Sequence, residues 1–436
     1  MIDCATDEWI ETRTMKIAVV GTGISGMLAA RLLCGEHRVT VFEAGNYIGG
    51  HTATVPIELG GKVWNIDTGF IVYNEVAYPD FIELLRKLGV ATQASSMSFS
   101  VKCERTGLEY CSGSLNAFFA QRRNLLRPGF WRMVRDILRF FRDARAAMQP
   151  GGERETLGEW LKRRGYSREF LEWHILPLGA AIWSADTRRI EDCPVQFFVR
   201  FFDNHQFLQV KGRSKWRTVV GGSRTYIEPL VRPFREAIRL NCAVQRVARL
   251  GDRVELTLAG GETQSFDQVV IAAHSDQALK MLADPSGAEL AILGAMRYQA
   301  NDVLLHTDTS MLPRCRRAWA CWNYHILDRE MDRSEALPTV TYNMNLLQNL
   351  AGAPETFCIT LNRTPRIDPA KILRRFTYDH PQYTPESVAA QARWREISGV
   401  RRTHYCGAYW GYGFHEDGVR SALAVGKFFG KDLGSL

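Results

Sequence analysis

An almost unbroken apolar run, MKIAVVG from Met15, meets a glycine turn and then small and apolar residues, ISGMLAARLL. The run predicts a strand covered on both faces, and the stretch after it a helix from Ile24 to Leu33. RVTVFEA predicts a second strand, so the opening reads strand, turn, helix, strand. Further on, KWRTVVGGSRTYIEPLVRPF reads as a strand, a Gly221-Gly222 turn and a helix opened by Ser223. CAVQRVARL, DRVELTLA and FDQVVIAA follow as three short strands, with a helix beginning near Asp276. At the far end RTHYCG reads as a strand, then an aromatic, glycine-rich loop, then a helix from Gly418 to about Gly430. Between these, AYPDFIELLRKLGV carries apolar residues at helical spacing, and SMSFSVKCERTGLEYC reads as a hairpin turning at Glu104 to Gly107.

These elements predict an α/β protein. A doubly wound dinucleotide-binding domain is assembled from residues 15–76, 213–275 and 401–436, interleaved with an α+β domain from 77–212 and 276–400. At 436 residues the chain is too long for one ordinary core, which agrees with two packed domains. Residues 1–14 are acidic and lack an apolar segment, so they read as a disordered leader rather than a secretory signal. Ten cysteines form no CxxC pair, so no metal site is expected, and reduced thiols in a cytoplasmic protein are.

The net charge of +8 leaves nucleic acid, an anionic membrane or no special partner open until the charge is located. It concentrates in RRNLLRPGFWRMVRDILRFFRDARAAM. There Phe130, Val134, Ile137, Phe141 and Ala144 fall on one helical stripe, and Arg132, Arg135, Arg139 and Arg142 on another. One reading is peripheral contact of this 130–148 helix with an anionic membrane at its cytoplasmic face. The other is a helix that packs inward with solvated arginines. A single basic helix without a groove-reading motif argues against nucleic acid.

The chemistry begins at Gly21, Gly23 and Gly26, which spell GxGxxG. The first glycine allows a tight turn, the second lets backbone approach a pyrophosphate, and the third lets the helix pack close to its strand. The helix opening at Ile24 and Ser25 would aim its amides at the phosphates. Glu43 ends the second strand twenty residues past Gly23, where an acid takes the ribose hydroxyls of an adenosine and repels a 2′-phosphate. Gly49-Gly50 follows on a returning loop, and Asp67-Thr68-Gly69 ends a later apolar stretch.

With these residues the chain resembles the two-dinucleotide-binding-domain flavoproteins, and among them the flavin-containing amine oxidase and phytoene desaturase superfamily. GGHT, DTGFIVYN, YPDF, IWSA, VVGGSRTYIEPL, CWNYH and GYGFHEDG resemble a bacterial subgroup of predicted FAD/NAD-binding proteins. Its members are typically encoded beside cyclopropane-fatty-acid-synthase-like methyltransferases. The resemblance implies non-covalent FAD and an oxidoreductase. It carries cofactor binding onto Gly21, Gly23, Ile24, Ser25, Gly26, Glu43, Ala44, Gly49, Gly50, His51, Thr52, Thr68, Gly69, Val244, Gly407, Gly418 and Val419. Gly69 would admit the flat flavin ring, and the last helix would face its N1–C2=O2 edge.

Three departures from the family pattern bear on the reaction. His51 stands where most relatives carry arginine, YQANDVLLHTD lacks the lysine of many amine oxidases, and Cys406-Gly407-Ala408 replaces Ala-Gly-Glu. The leading expectation is hydride removal from a hydrophobic, fatty-acyl or lipid substrate, with such a methyltransferase as functional partner. Amine oxidation, double-bond isomerisation and a non-catalytic lipid-binding role are the alternatives. His415, expected on a loop three residues before the last helix, is the candidate proton carrier; the competing reading has it hydrogen-bonded to Glu416 or Asp417. Asp417 is expected as the N-cap.

Overall fold

The computed structural model describes residues 14–149, 154–209, 212, 214–328 and 337–436. The expected leader lies outside the described residues except for its last, Thr14. Five parallel strands form the central sheet: β1 (Lys16–Val20), β2 (Arg38–Phe42), β3 (Ile238–Arg239), β4 (Gln268–Ile271) and β5 (Thr403–Tyr405). Their order is β3-β2-β1-β4-β5, so three separated stretches of chain meet in one sheet. The connection reverses beside β1, which makes its carboxyl end the switch point where such sheets bind ligands.

Ile17, Ala18 and Val19 are wholly buried, which is why β1 reads as an unbroken apolar run. One face of the sheet is covered by helices α1 (Ile24–Leu33) and the C-terminal helix, whose Val419, Ala422 and Val425 pack with Ile24, Met27 and Leu28. The other face carries an antiparallel sheet of residues 244–249, 254–258 and 263–266. The third of these strands, Thr263–Phe266, is absent from the sequence reading, which joined Phe266 to β4. Its TQSF is largely polar and part-exposed, so no apolar alternation marks it.

The second body is built on a seven-stranded mixed sheet, ordered 372–382, 297–306, 358–361, 339–343, 322–326, 99–103 and 109–111. The expected hairpin at 99–111 is part of it. The bodies exchange more chain than the expected boundaries allow. Helix α2 (Pro79–Lys87), expected in the second domain, buries Phe81, Leu84 and Leu85 in the first. Residues 278–293 likewise contribute Ala278, Ile292 and Leu293 beneath the central sheet. The hairpin 54–67, expected in the first domain, turns Ile57, Trp64 and Ile66 onto the second sheet. Burial of the apolar face decides each case, and sequence proximity does not.

The basic helix, α3 (Pro128–Asp143), packs inward. Its buried stripe is Phe130, Met133, Ile137, Phe140 and Ala144; Val134 and Phe141, expected on that stripe, are only partly buried. The arginines are paired: Arg132 with Glu169, Arg135 and Arg139 with Asp136, and Arg142 with Asp143. The stripe expected to face lipid is therefore core, and the arginine stripe is charge-compensated. Among the described residues no helix is long and apolar enough to cross a membrane.

Phe140 lies among Trp160, Tyr166, Phe170 and Phe202. Phe140→Ala should lower the unfolding free energy by about 3–5 kcal/mol in urea titrations. Phe141→Ala should cost no more than about 1–2 kcal/mol. Equal losses would contradict this packing register.

Candidate functional site

The glycines after β1 form a cradle. Gly21 has φ +103°, and a Cβ there would lie 2.8 Å from the Ala272 carbonyl oxygen at the end of β4. A Cβ on Gly26 would overlap the Gly21 carbonyl, so α1 presses directly onto the turn. A Cβ on Gly23 would meet nothing within 4 Å, which leaves that side of the turn open. The first amide of α1 to bond back is that of Met27, to the Gly23 carbonyl. The amides of Ile24, Ser25 and Gly26 are therefore free of helical partners. The returning loop brings Gly50 against the same turn, with a built Cβ 3.3 Å from the Gly23 Cα.

Glu43 closes the far side. Its carboxylate accepts from the Thr22 N–H (2.9 Å), the Thr22 hydroxyl (2.5 Å) and the Gly45 N–H (2.8 Å), while Ala44 beside it is exposed. The Cys242 N–H bonds the Glu43 carbonyl at 2.8 Å, so the strand starting at Val244 springs from this edge, with Val244 itself buried. Open backbone at Gly23, free amides and a fixed acid suit the diphosphate and ribose of a dinucleotide.

Beyond the cradle, Gly69 departs from expectation. A Cβ there would overlap the His51 carbonyl, and the Phe70 N–H bonds that same oxygen at 2.8 Å. The glycine is required by a crossing of two backbone segments, whatever else approaches it. This crossing holds His51 inward. Its Nε2 is buried without a partner among the described residues, an orphaned group of the kind a bound molecule satisfies.

Three residues missed by the sequence reading surround it: His274, His380 and Tyr378, with ring centroids 6.2, 5.8 and 4.9 Å from that of His51. Tyr378 also bonds the Thr68 hydroxyl at 2.8 Å. Burial, and then mutual repulsion, lowers His51 to about 3 and His380 to about 4, so this wall is uncharged at neutral pH. Tyr378 and His380 stand two apart in one strand, a period that could have exposed them. Among the described residues no cluster is arranged to hold a metal ion.

Asp67 joins the cradle to both bodies. Wholly buried, it accepts from the Thr54 hydroxyl (2.6 Å), the Ser223 N–H and hydroxyl (2.8 and 2.9 Å) and the Gln348 side-chain N–H (2.9 Å). Its own N–H donates to the Gln348 side-chain oxygen at 2.9 Å. Burial raises its pKa to about 6 against these donors.

The C-terminal helix, α6 (His415–Lys427, counting Leu176–Trp183 as α4 and Val195–Asn204 as α5), begins three residues earlier than expected. Asp417 is not its N-cap. The carboxylate accepts the Phe414 N–H at 3.0 Å, which makes Phe414 the cap and Asp417 the third helical residue. His415 is thus the first residue of the helix, not part of a loop. Its Nε2 lies 3.1 Å from the Thr52 hydroxyl and 3.0 Å from the Tyr226 hydroxyl, which are 2.5 Å apart, and its ring stacks on Phe70 at 3.6 Å. Burial lowers its pKa to about 3. Glu416 instead caps α2, accepting the Asp80 and Phe81 amides at 3.2 and 2.9 Å, and pairs with Arg420.

The earlier start also moves the free amides. The Gly418 N–H is spent on the Phe414 carbonyl at 3.1 Å, and the Val419 side chain is wholly buried. The amides without helical partners are those of His415, Glu416 and Asp417. Gly418 serves another purpose: a Cβ there would lie 2.7 Å from Ile24 Cγ2, so the open ends of α1 and α6 touch. Gly407 donates its N–H to the Ser421 hydroxyl at 2.9 Å. Cys406 is wholly buried in the core beneath these helices.

The parallel sheet, the glycine cradle at its switch point and the second helix end beside it define a dinucleotide-binding fold of two interleaved bodies. A family model described as flavin containing amine oxidoreductase matches residues 24–314, and the chain belongs to that family. It is an FAD-dependent oxidoreductase, and the cradle residues above are those that would hold the FAD diphosphate. Among solved structures it is similar to a cyclohexylamine oxidase from Brevibacterium oxydans IH-35A, with 16% identity over 96% of this chain and 100% of that one and a TM-score of 0.66. It is also similar to a CLA-producing fatty acid isomerase from P. acnes, with 15% identity over 95% and 99% and a TM-score of 0.67. It is similar as well to a putrescine oxidase bound to putrescine, with 13% identity over 96% of this chain and 99% of that one and a TM-score of 0.67. No curated protein sequence matches significantly.

Two outcomes follow from this geometry. His415→Phe keeps the stack on Phe70 and should change the rate of flavin bleaching by substrate by less than about tenfold. A general base would cost about 10²–10⁴-fold. Glu416 has its pKa raised from 4.5 to about 7, chiefly by burial. A carboxyl raised in the fold binds more protons folded than unfolded, so its contribution is present at low pH and lost as pH rises through about 7. The melting temperature should therefore decline between about pH 5 and 7, and Glu416→Gln should flatten that decline.

Proposed function

We propose that the protein removes a hydride from a long, apolar, lipid-like carbon chain. The observation that carries this is the aromatic wall before α6. Trp183 lies 4.8 Å from Phe201, Phe197 lies 4.7 Å from Tyr383 and 4.6 Å from Tyr412, and Phe201 lies 5.2 Å from Phe414 (ring centroids). Phe414 caps the helix whose first amides, at His415 to Asp417, have no helical partners. Such a wall holds hydrocarbon and excludes water.

FAD supplies the hydride acceptor when bound. The chain's part is to grip the diphosphate at Gly21 to Gly26 and to offer the positive end of α6 to developing negative charge. It also presents the unpartnered Nε2 of neutral His51 as the acceptor for the proton lost with the hydride, while the His380 Nδ1 is already bonded by Asn301. The strand 297–306 offers no lysine; its buried Asn301 bonds His380 at 3.0 Å and Asn362 at 2.7 Å. This favours hydrocarbon over amine chemistry. The similarity to a fatty acid isomerase supports a long-chain substrate, and a cyclopropane-fatty-acid-synthase-like methyltransferase is the kind of partner that would supply one.

Anaerobic mixing of the FAD-loaded protein with unsaturated or methyl-branched phospholipid should bleach the flavin, with a product lighter by two hydrogens. A product of unchanged mass would indicate isomerisation. Bleaching by cyclohexylamine or putrescine, with peroxide released in air and none with lipid, would overturn the proposal.

A further inference from the structure

The second body carries an apolar corner that the aromatic wall does not explain. Leu115 and Leu126 are 81% and 87% exposed, far more than a leucine held by a core, and Leu125, Trp131 and Leu138 are exposed beside them in sequence. Trp131 and Leu138 are seven apart on α3 and share its outer face, with Arg135 between them. The corner is not frayed chain. The Trp131 indole N–H donates to the Leu125 carbonyl at 2.8 Å, Arg122 donates to the Phe119 carbonyl at 2.7 Å, and Arg123 to the Gly107 carbonyl at 2.6 Å. The leucines are therefore held outward.

Apart from Glu169 and Asp136, which pair with Arg132 and Arg135, the charge around them is predominantly positive. Residues 112–135 contain five arginines and no acid, and residues 309–327 contain three arginines and no acid. The two stretches are joined: the Glu109 carboxylate accepts the Arg314 and Cys315 amides at 2.9 Å each, and Cys315, Ala318 and Ala320 pack with Ala117 and Ala120. Arg122, Arg123, Arg314, Arg316 and Arg317 are exposed, and none forms an ion pair among the described residues. This sets them apart from the compensated arginines farther along α3.

We infer that this corner docks on a bilayer rich in anionic phospholipid, with the leucines and Trp131 entering the interface and the arginines on headgroup phosphates. Outward aliphatic side chains ringed by uncompensated cations match that partner. Nucleic acid would call for stacking aromatics in place of leucines. Beneath the corner, Phe118, Phe119 and Phe130 belong to the same hydrophobic core as Trp183, Phe201 and Phe414. Apolar side chains thus run without interruption from the docking face to the wall before α6. The docking inference does not depend on the substrate proposed above, because it is read out without turnover.

The test is flotation of the FAD-loaded full chain with vesicles of phosphatidylcholine alone or mixed with phosphatidylglycerol. Binding should require phosphatidylglycerol and weaken in high salt. Arg314→Gln with Arg317→Gln should weaken it about thirtyfold, from about fivefold per lost cation. Leu115→Gln with Leu126→Gln should weaken it about tenfold or more, with the far-ultraviolet spectrum and flavin content unchanged. Arg253→Gln, an exposed arginine elsewhere paired with acids, should leave it unchanged. Equal binding to both vesicle types, no binding to either, or tighter binding to duplex DNA than to vesicles would overturn the inference. So would self-association that the leucine substitutions abolish without any vesicle binding.

Discussion

The buried carboxylate of Asp67 is the constraint on which the site depends. It sits where the hairpin 54–67 leaves the second sheet, and it collects donors from that hairpin, from the turn at Ser223 and from Gln348 across the boundary. A wholly buried carboxylate is costly unless its oxygens are satisfied, and here four donors satisfy them. Each donor fixes one piece of chain around the segment Thr68 to Phe70. The crossing of that segment over His51 follows, and with it the direction in which the orphaned imidazole points.

Both sides of the candidate site are then set by charge. Two helix ends gather free amides at the glycine cradle, and the buried imidazoles of His51 and His380 beside it are held unprotonated. Negative charge arising there would meet dipoles already in place and need little reorganisation. His415 contributes by tying α6 to Thr52, Tyr226 and Phe70, and Glu416 ties the same helix end to α2.

The first body was legible because its signals are local. An apolar run, three glycines at fixed spacing and an acid at the next strand's end each describe a few residues, and β1, α1 and Glu43 lie where they were expected. The second body was less so. Its strands 297–306 and 372–382 pair across long separations, and many of their side chains are partly exposed, so no clean alternation marks them. On α3, two adjacent phenylalanines fit a helical stripe equally well until a partner surface selects Phe140. At the last helix, Gly418 suggested a boundary, while the acid at Asp417 was reaching back three residues to cap Phe414. Gly69 shows the same limit: its spacing announced a close approach, but only the fold shows what approaches.

The contact between Gly418 and Ile24 has a consequence for how the protein is made. The cradle emerges from the ribosome well before β5 and α6, which complete the sheet and seat the second helix end. The early segment must wait for them, with the face of α1 that meets α6 uncovered. Nascent intermediates of this topology therefore expose apolar surface until that distant pairing forms, and a prosthetic group gripped at both helix ends would be fully enclosed only then.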